Sequence, residues 1–564
     1  MGAKSRALLV AAALALAVDA AGQSTVEYVT PERPFTERVK DMPVGDVPAT
    51  GAVRIPTMTW GGDLVTLFAA GGRATAKESR YGKAGLSLEL GHQDDFVEQV
   101  RAYLAGTSPF LRGTLGMIHC ASAALSRDPR TRPVIVLLLT WSTGGDALVV
   151  RPGIRQVKDL KGKRVVLQQY SAHIDWLDIL LRDAGLTWAD VDARFVPMLT
   201  AAPDWDPKLA ARDPANAFRR DPEAAATCVI SLDAMALTAG GPGGVKDARV
   251  LLSTKTATRI IADVLAVRAD FLEQRPEDVR RIVLGWLQAA EDLEDLRTRG
   301  GPAHDAFLAT AAEAFFGNRE AIADVDGLLA DCTLCGHAAN VSFFQDESDL
   351  QNHARASARI QSFLVREKYL AEGTQPAGPP WDWKSFEPHL RGAVPAERPL
   401  FGDPKIALLV VERQTGPGAL FEFEIRFLPN QQAFDAAQYQ QDFSRVLDLA
   451  SRYGGAVIEV VGHADPSRVG RLEWEQGENS PAVAATRQAA RNLSLARANR
   501  VREAVIEFAA QRRLRVDASQ FVTNGEGVER PRRPRPASEA EWLENMRVEF
   551  RVLNVEAERA ELEK

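Results

Sequence analysis

Cysteine is scarce in this chain, with four residues in 564: Cys120, Cys228, Cys332 and Cys335. So few thiols exclude a scaffold built on disulfides. Beyond the first twenty-odd residues no run reaches the roughly 20 apolar residues that a membrane-spanning helix needs. A clustered basic face is missing too: the net charge is -7 and the calculated pI is near 5.8, which argues against a general nucleic-acid footprint. Motifs of catalysis are equally absent. GGPGGV at 240–245 lacks the GxGxxG spacing, and no P-loop, HExxH or GxSxG occurs. His119 and Cys120 are adjacent on what reads as a strand, so their side chains are expected on opposite faces and do not make a base and nucleophile. No catalytic residue, metal or cofactor is therefore expected. In CTLCGH, Gly336 separates Cys335 from His337, which breaks a CxxCH haem site, and zinc would need two more ligands. The expectation for Cys332 and Cys335 is a disulfide formed in an oxidising compartment.

What is present begins with an export signal. Lys4 and Arg6 precede an apolar stretch from Ala7 to Val18 and small residues at 20–22, the pattern of a signal peptide over 1–22. The segment 45–395 alternates strands and helices and reads as α/β. PVIVLLLTW at 133–141 has the length of a buried strand. KGKRVVLQQ at 161–169 leads into a helix with Ile174, Leu177, Leu180 and Leu181 on one face, and ATCVISL at 226–232 is a third strand. PEDVRRIVLGWL opens a helix at Pro276, with Glu277 and Asp278 in the first turn where acids suit the dipole. Proline and glycine thicken in GAVPAERPLFGDP, which places a linker over 396–404 and a second domain over 405–556.

The second domain carries GHAD at 462–465, at the end of the apolar run AVIEVV, so Asp465 is expected in a loop at a strand tip. NLSLARANRVREAVIEF at 492–508 is expected to open a helix there, with Ala498, Val501, Val505 and Phe508 on the buried stripe and Arg497 near the first turns, facing Asp465. A carboxylate and a guanidinium in one shallow site suit a ligand with both an ammonium and a carboxylate. These residues, with FEFEIRF, the GEG turn at 525–527 and the terminal NMRVEF, resemble the OmpA-like peptidoglycan-binding domain. The resemblance implies an α+β fold in which Asp465 and Arg497 hold the diaminopimelate of a wall stem peptide, with Arg547 of the terminal strand as a further candidate. Departures are Ala464 and Ala490 where the family has polar residues, and an extra stretch after Asp465, PSRVGRLEWEQGENSPAVAATRQ. The basic run RPRRPRP at 530–536 reads as a solvated loop, with contact to anionic wall polymers as the other reading.

The front segment resembles the solute-binding proteins of ABC importers, in the nitrate, sulfonate, taurine and thiamine-precursor branch. The residues that carry this are GDALVVRPGIRQVKDLKGKRVVL, QVRAYLAGTSPFLRGTLGMI, LRDAGLTWADV and LAVRADFLEQRPEDVRRIV. The resemblance implies a two-lobed periplasmic-binding-protein fold of type II, a solute between the lobes, an importer permease as partner and no enzyme activity. Since open α/β sheets bind ligands at the carboxyl ends of their strands, four loops are candidates. TWGGD offers Trp60 as a plate and Asp63 as an anion. STGGD offers Ser142 and Thr143 hydroxyls, Gly144 and Gly145 for backbone approach, and Asp146. YSAH offers Ser171 and His173 at a helix start, and SLD offers Asp233. Each aspartate also reads as a cap or turn former, and Trp60 as core packing. Three aspartates point to a cationic or zwitterionic solute, with Lys255 and Arg259 as the counterweight. The combined expectation is a periplasmic, cell-wall-associated capture protein at the outer membrane side. The alternative is an envelope-organising or sensory protein whose front domain is an interaction module.

Overall fold

The computed structural model describes residues 26–29, 34–201, 209–241, 243–394, 419–426 and 436–554. The expected signal peptide at 1–22 and linker at 396–404 lie outside the described residues.

The strand Pro133–Ser142 is buried at all ten positions, and the reason is its place in the fold. It lies inside a four-stranded antiparallel sheet in the order 332–334, 133–142, 262–268, 110–114. One face packs Ile135 and Leu138 against Ile118 of the helix Leu115–Leu125. The other packs Val136 and Leu139 against Leu64 and Trp286, from the helices Gly61–Ala70 and Pro276–Arg299. A sheet covered on both faces needs apolar residues on both, so alternation disappears from its strands. A parallel pair, Val53–Thr57 with Leu88–His92, completes this lobe.

The second lobe has five strands in the order 192–196, 164–168, 224–230, 146–150, 249–253. Arg164–Gln168 runs parallel to both neighbours, and Asp146–Val150 antiparallel to both. The chain crosses from the first sheet to the second between Ser142 and Asp146 and returns between Ser253 and Ala262. Two α/β lobes joined by short crossings follow directly. Among the described residues no helix is long and apolar enough to cross a membrane.

The C-terminal region is an α+β unit: a four-stranded sheet in the order 419–426, 547–554, 456–463, 521–527, with the helices Gln440–Arg452 and Pro481–Gln511 packed on it. Its core joins Phe443, Val446 and Leu447 to Val460, Val501, Val505 and Phe550. This unit docks on the front domain. Leu449, Tyr453, Ala456 and Val552 enter the same apolar cluster as the helix His173–Asp183. Buried Arg452 pairs with Asp183 at 2.7 Å, the Tyr453 hydroxyl donates to the same carboxylate at 2.9 Å, and Gly455 N donates to Thr256 O in the second crossing at 3.1 Å.

Four expectations are corrected. His119 and Cys120 sit on a helix, Leu115–Leu125; both are buried, and burial holds the His119 pKa down to about 3. Adjacent helical residues also diverge, so the exclusion of a nucleophile and base stands on different geometry. The third strand ends at Ile230, and Ser231 starts a helix. The helix bearing Arg497 begins at Pro481, so Arg497 is mid-helix, because the extra stretch after Asp465 folds into the helix Ser467–Gln476 and then extends the next one. Cys332 and Cys335 are buried and are not joined in a disulfide. Cys332 belongs to a short strand while Cys335 lies just past it, and an odd separation along extended chain sends the two side chains to opposite faces.

Candidate functional site

The four predicted loops meet where the chain crosses between the lobes. Trp60 is the N-cap residue of the helix Gly61–Ala70, and its indole Nε1 donates to Thr140 Oγ1 at 2.8 Å. Its ring lies over Gly145: a Cβ there would come within 2.2 Å of Trp60 Cη2, so glycine is required for the ring to sit on the crossing. Gly144 is held beside Asp331 and Lys255 in the same way, and its N–H donates to Thr254 Oγ1 at 3.0 Å. The Ser142 hydroxyl donates to Asp146 Oδ2 at 2.7 Å, and His173 Nε2 lies 2.8 Å from Asp146 Oδ1. Ser171 Oγ accepts from the backbone N of His173 at 3.2 Å, at the start of its helix. His173 is fully buried, and its Nδ1 has no hydrogen-bond partner. Thr143 Oγ1 lies 3.2 Å from Thr333 Oγ1. Ser231 N donates to Gly145 O at 2.8 Å, and Ser231 Oγ to Asp331 Oδ2 at 2.5 Å, which joins the fourth loop to the others.

Two predicted anions have other roles. Asp63 is buried in the first helical turn, paired with Arg112 Nε at 2.9 Å. Arg112 also binds Asp263, which accepts from Thr140 Oγ1 at 3.0 Å. One guanidinium thus serves two enclosed carboxylates, and desolvation pushes the Asp63 pKa up although Arg112 opposes it. Asp63 is therefore an internal brace between the helix Gly61–Ala70 and the sheet. Asp233 turns toward Asp213 and Arg219 inside the second lobe, since two positions along a helix from Ser231 is the far side. Burial, and then Asp213, raise its pKa to about 6.

Arg112, Thr254, Asp263 and Asp331 were missed by reading strand ends. A signal existed for two of them: an arginine in FLRGT and an aspartate in IIADVLAV are single charges inside buried-strand patterns, and such charges are expected to be paired.

In the C-terminal unit, three glycines let the long helix press on two strand ends. A Cβ on Gly462 would lie 2.0 Å from Ser494 O, one on Gly525 2.6 Å from Arg491 O, and one on Gly527 2.9 Å from Arg491 Cγ. The Ser494 hydroxyl accepts from Gly527 N at 3.0 Å. Asp465, half-buried at its strand tip, accepts from Ser467 N at 3.0 Å and from Asn545 Nδ2 at 2.9 Å. Asn545 is fully buried and is also bonded to Arg533 N and O, so it fixes the Asp465 carboxylate against the basic loop. Arg497 makes no ion pair among the described residues; its Nε and Nη1 are enclosed with no hydrogen-bond partner, and desolvation lowers its pKa. Arg547 differs from Arg497. It is buried against Glu549 at 2.6 Å, and its Nη2 donates to Arg530 O at 3.3 Å, so it braces the loop. The extra stretch packs Val469 and Val483 on Val528 and leaves Trp474 87% exposed.

No protein-family model matches the chain, and no curated protein matches it. Solved structures do. It is similar to the periplasmic aliphatic sulphonate binding protein SsuA from Escherichia coli, with 16% identity, 63% of this chain and 100% of that chain covered, and a TM-score of 0.41. It is similar to the periplasmic nitrate-binding protein NrtA from Synechocystis PCC 6803, with 13% identity, 62% and 93% covered, and a TM-score of 0.41. It is also similar to the desulfurization enzyme DSZB, with 18% identity, 61% and 100% covered, and a TM-score of 0.37.

Proposed function

We propose that the chain is an exported solute-binding protein of an ABC-type importer, tethered to peptidoglycan by its C-terminal domain. The observation that carries the first half is the convergence of Trp60, Ser142, Thr143, Gly144, Gly145, Asp146, Ser171 and His173 on the crossing between two lobes. A solute there contacts both lobes, so its binding drives the hinge closure by which such a protein signals occupancy. Asp63 and Asp233 are left out of the contact set. Asp146 and Asp331 stand at the crossing with one lysine, Lys255, which favours an ammonium-bearing, zwitterionic solute over a lone anion such as sulphonate or nitrate.

For the second half, Arg497 supplies unpaired, enclosed N–H donors, and Asp465 is a carboxylate held in place by Asn545. A diaminopimelate side chain carries the complementary carboxylate and ammonium. Arg547 acts in this reading as a positioning residue for the loop.

A melting screen of the full chain with amines, amino acids, sulphonates and nitrate tests the capture role. A zwitterionic solute at about 100 times its Kd is expected to add roughly 2.7 kcal/mol and raise the transition by several degrees. If no solute class shifts it while purified sacculi still sediment the protein, the front domain is an interaction module instead.

A further inference from the structure

At the docking surface between the two domains, a cavity of about 780 Å³ lies among the helices His173–Asp183, His353–Arg366 and Gln440–Arg452. A second one of about 440 Å³ shares Leu350, Arg355, Ser444, Asp448 and Arg512 with it. None of the lining residues belongs to the lobe crossing or to the Asp465 and Arg497 site. The walls carry Arg182, Arg355, Arg359, Arg445, Arg452 and Arg512. Among the described lining residues two carboxylates, Asp183 and Asp448, stand with them, and Asp175, Asp178 and Asp442 act on Arg359, Arg182 and Arg445 from just outside the wall.

Asp183 is already held by Arg452 and Tyr453. Several of the other guanidiniums meet neutral acceptors. Arg359 Nη1 donates to Gln351 Oε1 at 2.8 Å, Arg512 Nη2 to Gln440 Oε1 at 2.8 Å and Arg355 Nη2 to Glu347 O at 3.4 Å. Arg359 Nε is enclosed with no partner. Burial, and then the nearby Arg452, push the Arg359 pKa down to about 10 against the pull of Asp175, Asp183 and Asp448.

Arginines from both sides of a domain boundary repel one another unless an anion stands between them, and planar guanidiniums match the geometry of phosphate oxygens. We propose that this cavity binds a phosphate-type oxyanion that bridges Arg355 and Arg359 of the front domain to Arg512 of the C-terminal domain, and so fastens the two. The phosphate can come from a free ion or from a lipid headgroup.

Calorimetric titration of the full chain with inorganic pyrophosphate, at ionic strength matched with sodium chloride, tests this. The expected result is saturable binding that weakens at least tenfold in the double variant Arg355→Gln, Arg512→Gln; both residues are exposed, so the variant keeps its fold and melts no lower than the parent without ligand. Arg471→Gln, an exposed arginine outside the cavity, is expected to leave the affinity unchanged. Flotation with phosphatidic acid vesicles that depends on Arg355 and Arg512 supports the same site and assigns a lipid source. Heats that vanish at matched ionic strength with no flotation, or equal losses in the cavity and control variants, overturn the proposal.

Discussion

Replacing Arg497 by methionine separates a ligand-binding guanidinium from a structural one. In the free chain Nε and Nη1 are enclosed without partners, a situation that costs about 1–3 kcal/mol for a buried polar group. Methionine keeps most of the apolar stem and removes that cost. Arg497→Met is therefore expected to stabilise the C-terminal domain by about 1 kcal/mol, a rise of roughly 2–4 °C in its melting transition for a domain of this size. Asp465→Ala acts in the opposite direction. It leaves the buried Asn545 Nδ2 with one acceptor fewer and Ser467 N uncapped, so melting is expected to fall by a similar amount. Yet both variants should lose co-sedimentation with sacculi. Hydrogen bonds to a charged group contribute about 1.5–3 kcal/mol, or roughly 10- to 100-fold in Kd. Calorimetry of the full chain and a sedimentation titration read the two effects separately. If Arg497→Met melts lower by as much as Asp465→Ala and both still sediment as the parent does, the guanidinium belongs to the fold and the wall site is wrong.

Gly145→Ala places a methyl within 2.2 Å of the Trp60 ring and is expected to cost about 1–3 kcal/mol and abolish solute-induced stabilisation; a variant that still responds to solute would show that the ring does not cover the crossing. Asp175, buried over Gly116, has its carboxyl pushed up to about 7 by desolvation, against the opposing pull of Arg359. The folded state thus favours the protonated acid over the unfolded chain, whose aspartate titrates near about 3.9. Its contribution to stability is complete below about pH 4 and is lost as the pH rises through about 7, so melting should be higher at pH 5 than at pH 8, and Asp175→Asn should flatten that slope. Equal slopes for parent and variant would refute the assignment.

Much of this architecture was legible along the chain because periodicity reports burial. Ala498, Val501, Val505 and Phe508 read as one stripe, and the structure buries all four. PVIVLLLTW read as a buried strand, although it is antiparallel and its unbroken apolarity comes from helices on both faces. The strand-end rule brought TWGGD, STGGD and YSAH together although they follow strands of three different sheets, because all three loops lie at the crossing between the lobes. Local pattern located many of the strands and helices, but it put His119 and Cys120 on a strand and began the helix of Arg497 too late.

Which charges meet was decided only in three dimensions. Asp63 looked like a free anion until Arg112, 49 positions on, and Asp263, 151 beyond that arginine, closed around it. Asn545 reaches Asp465 across 80 residues, and Arg452 reaches Asp183 across 269. Periodicity records whether a side chain is buried but not which distant partner neutralises it, so charge pairing, and with it the arginine-lined cavity between the domains, exists only once the chain has folded.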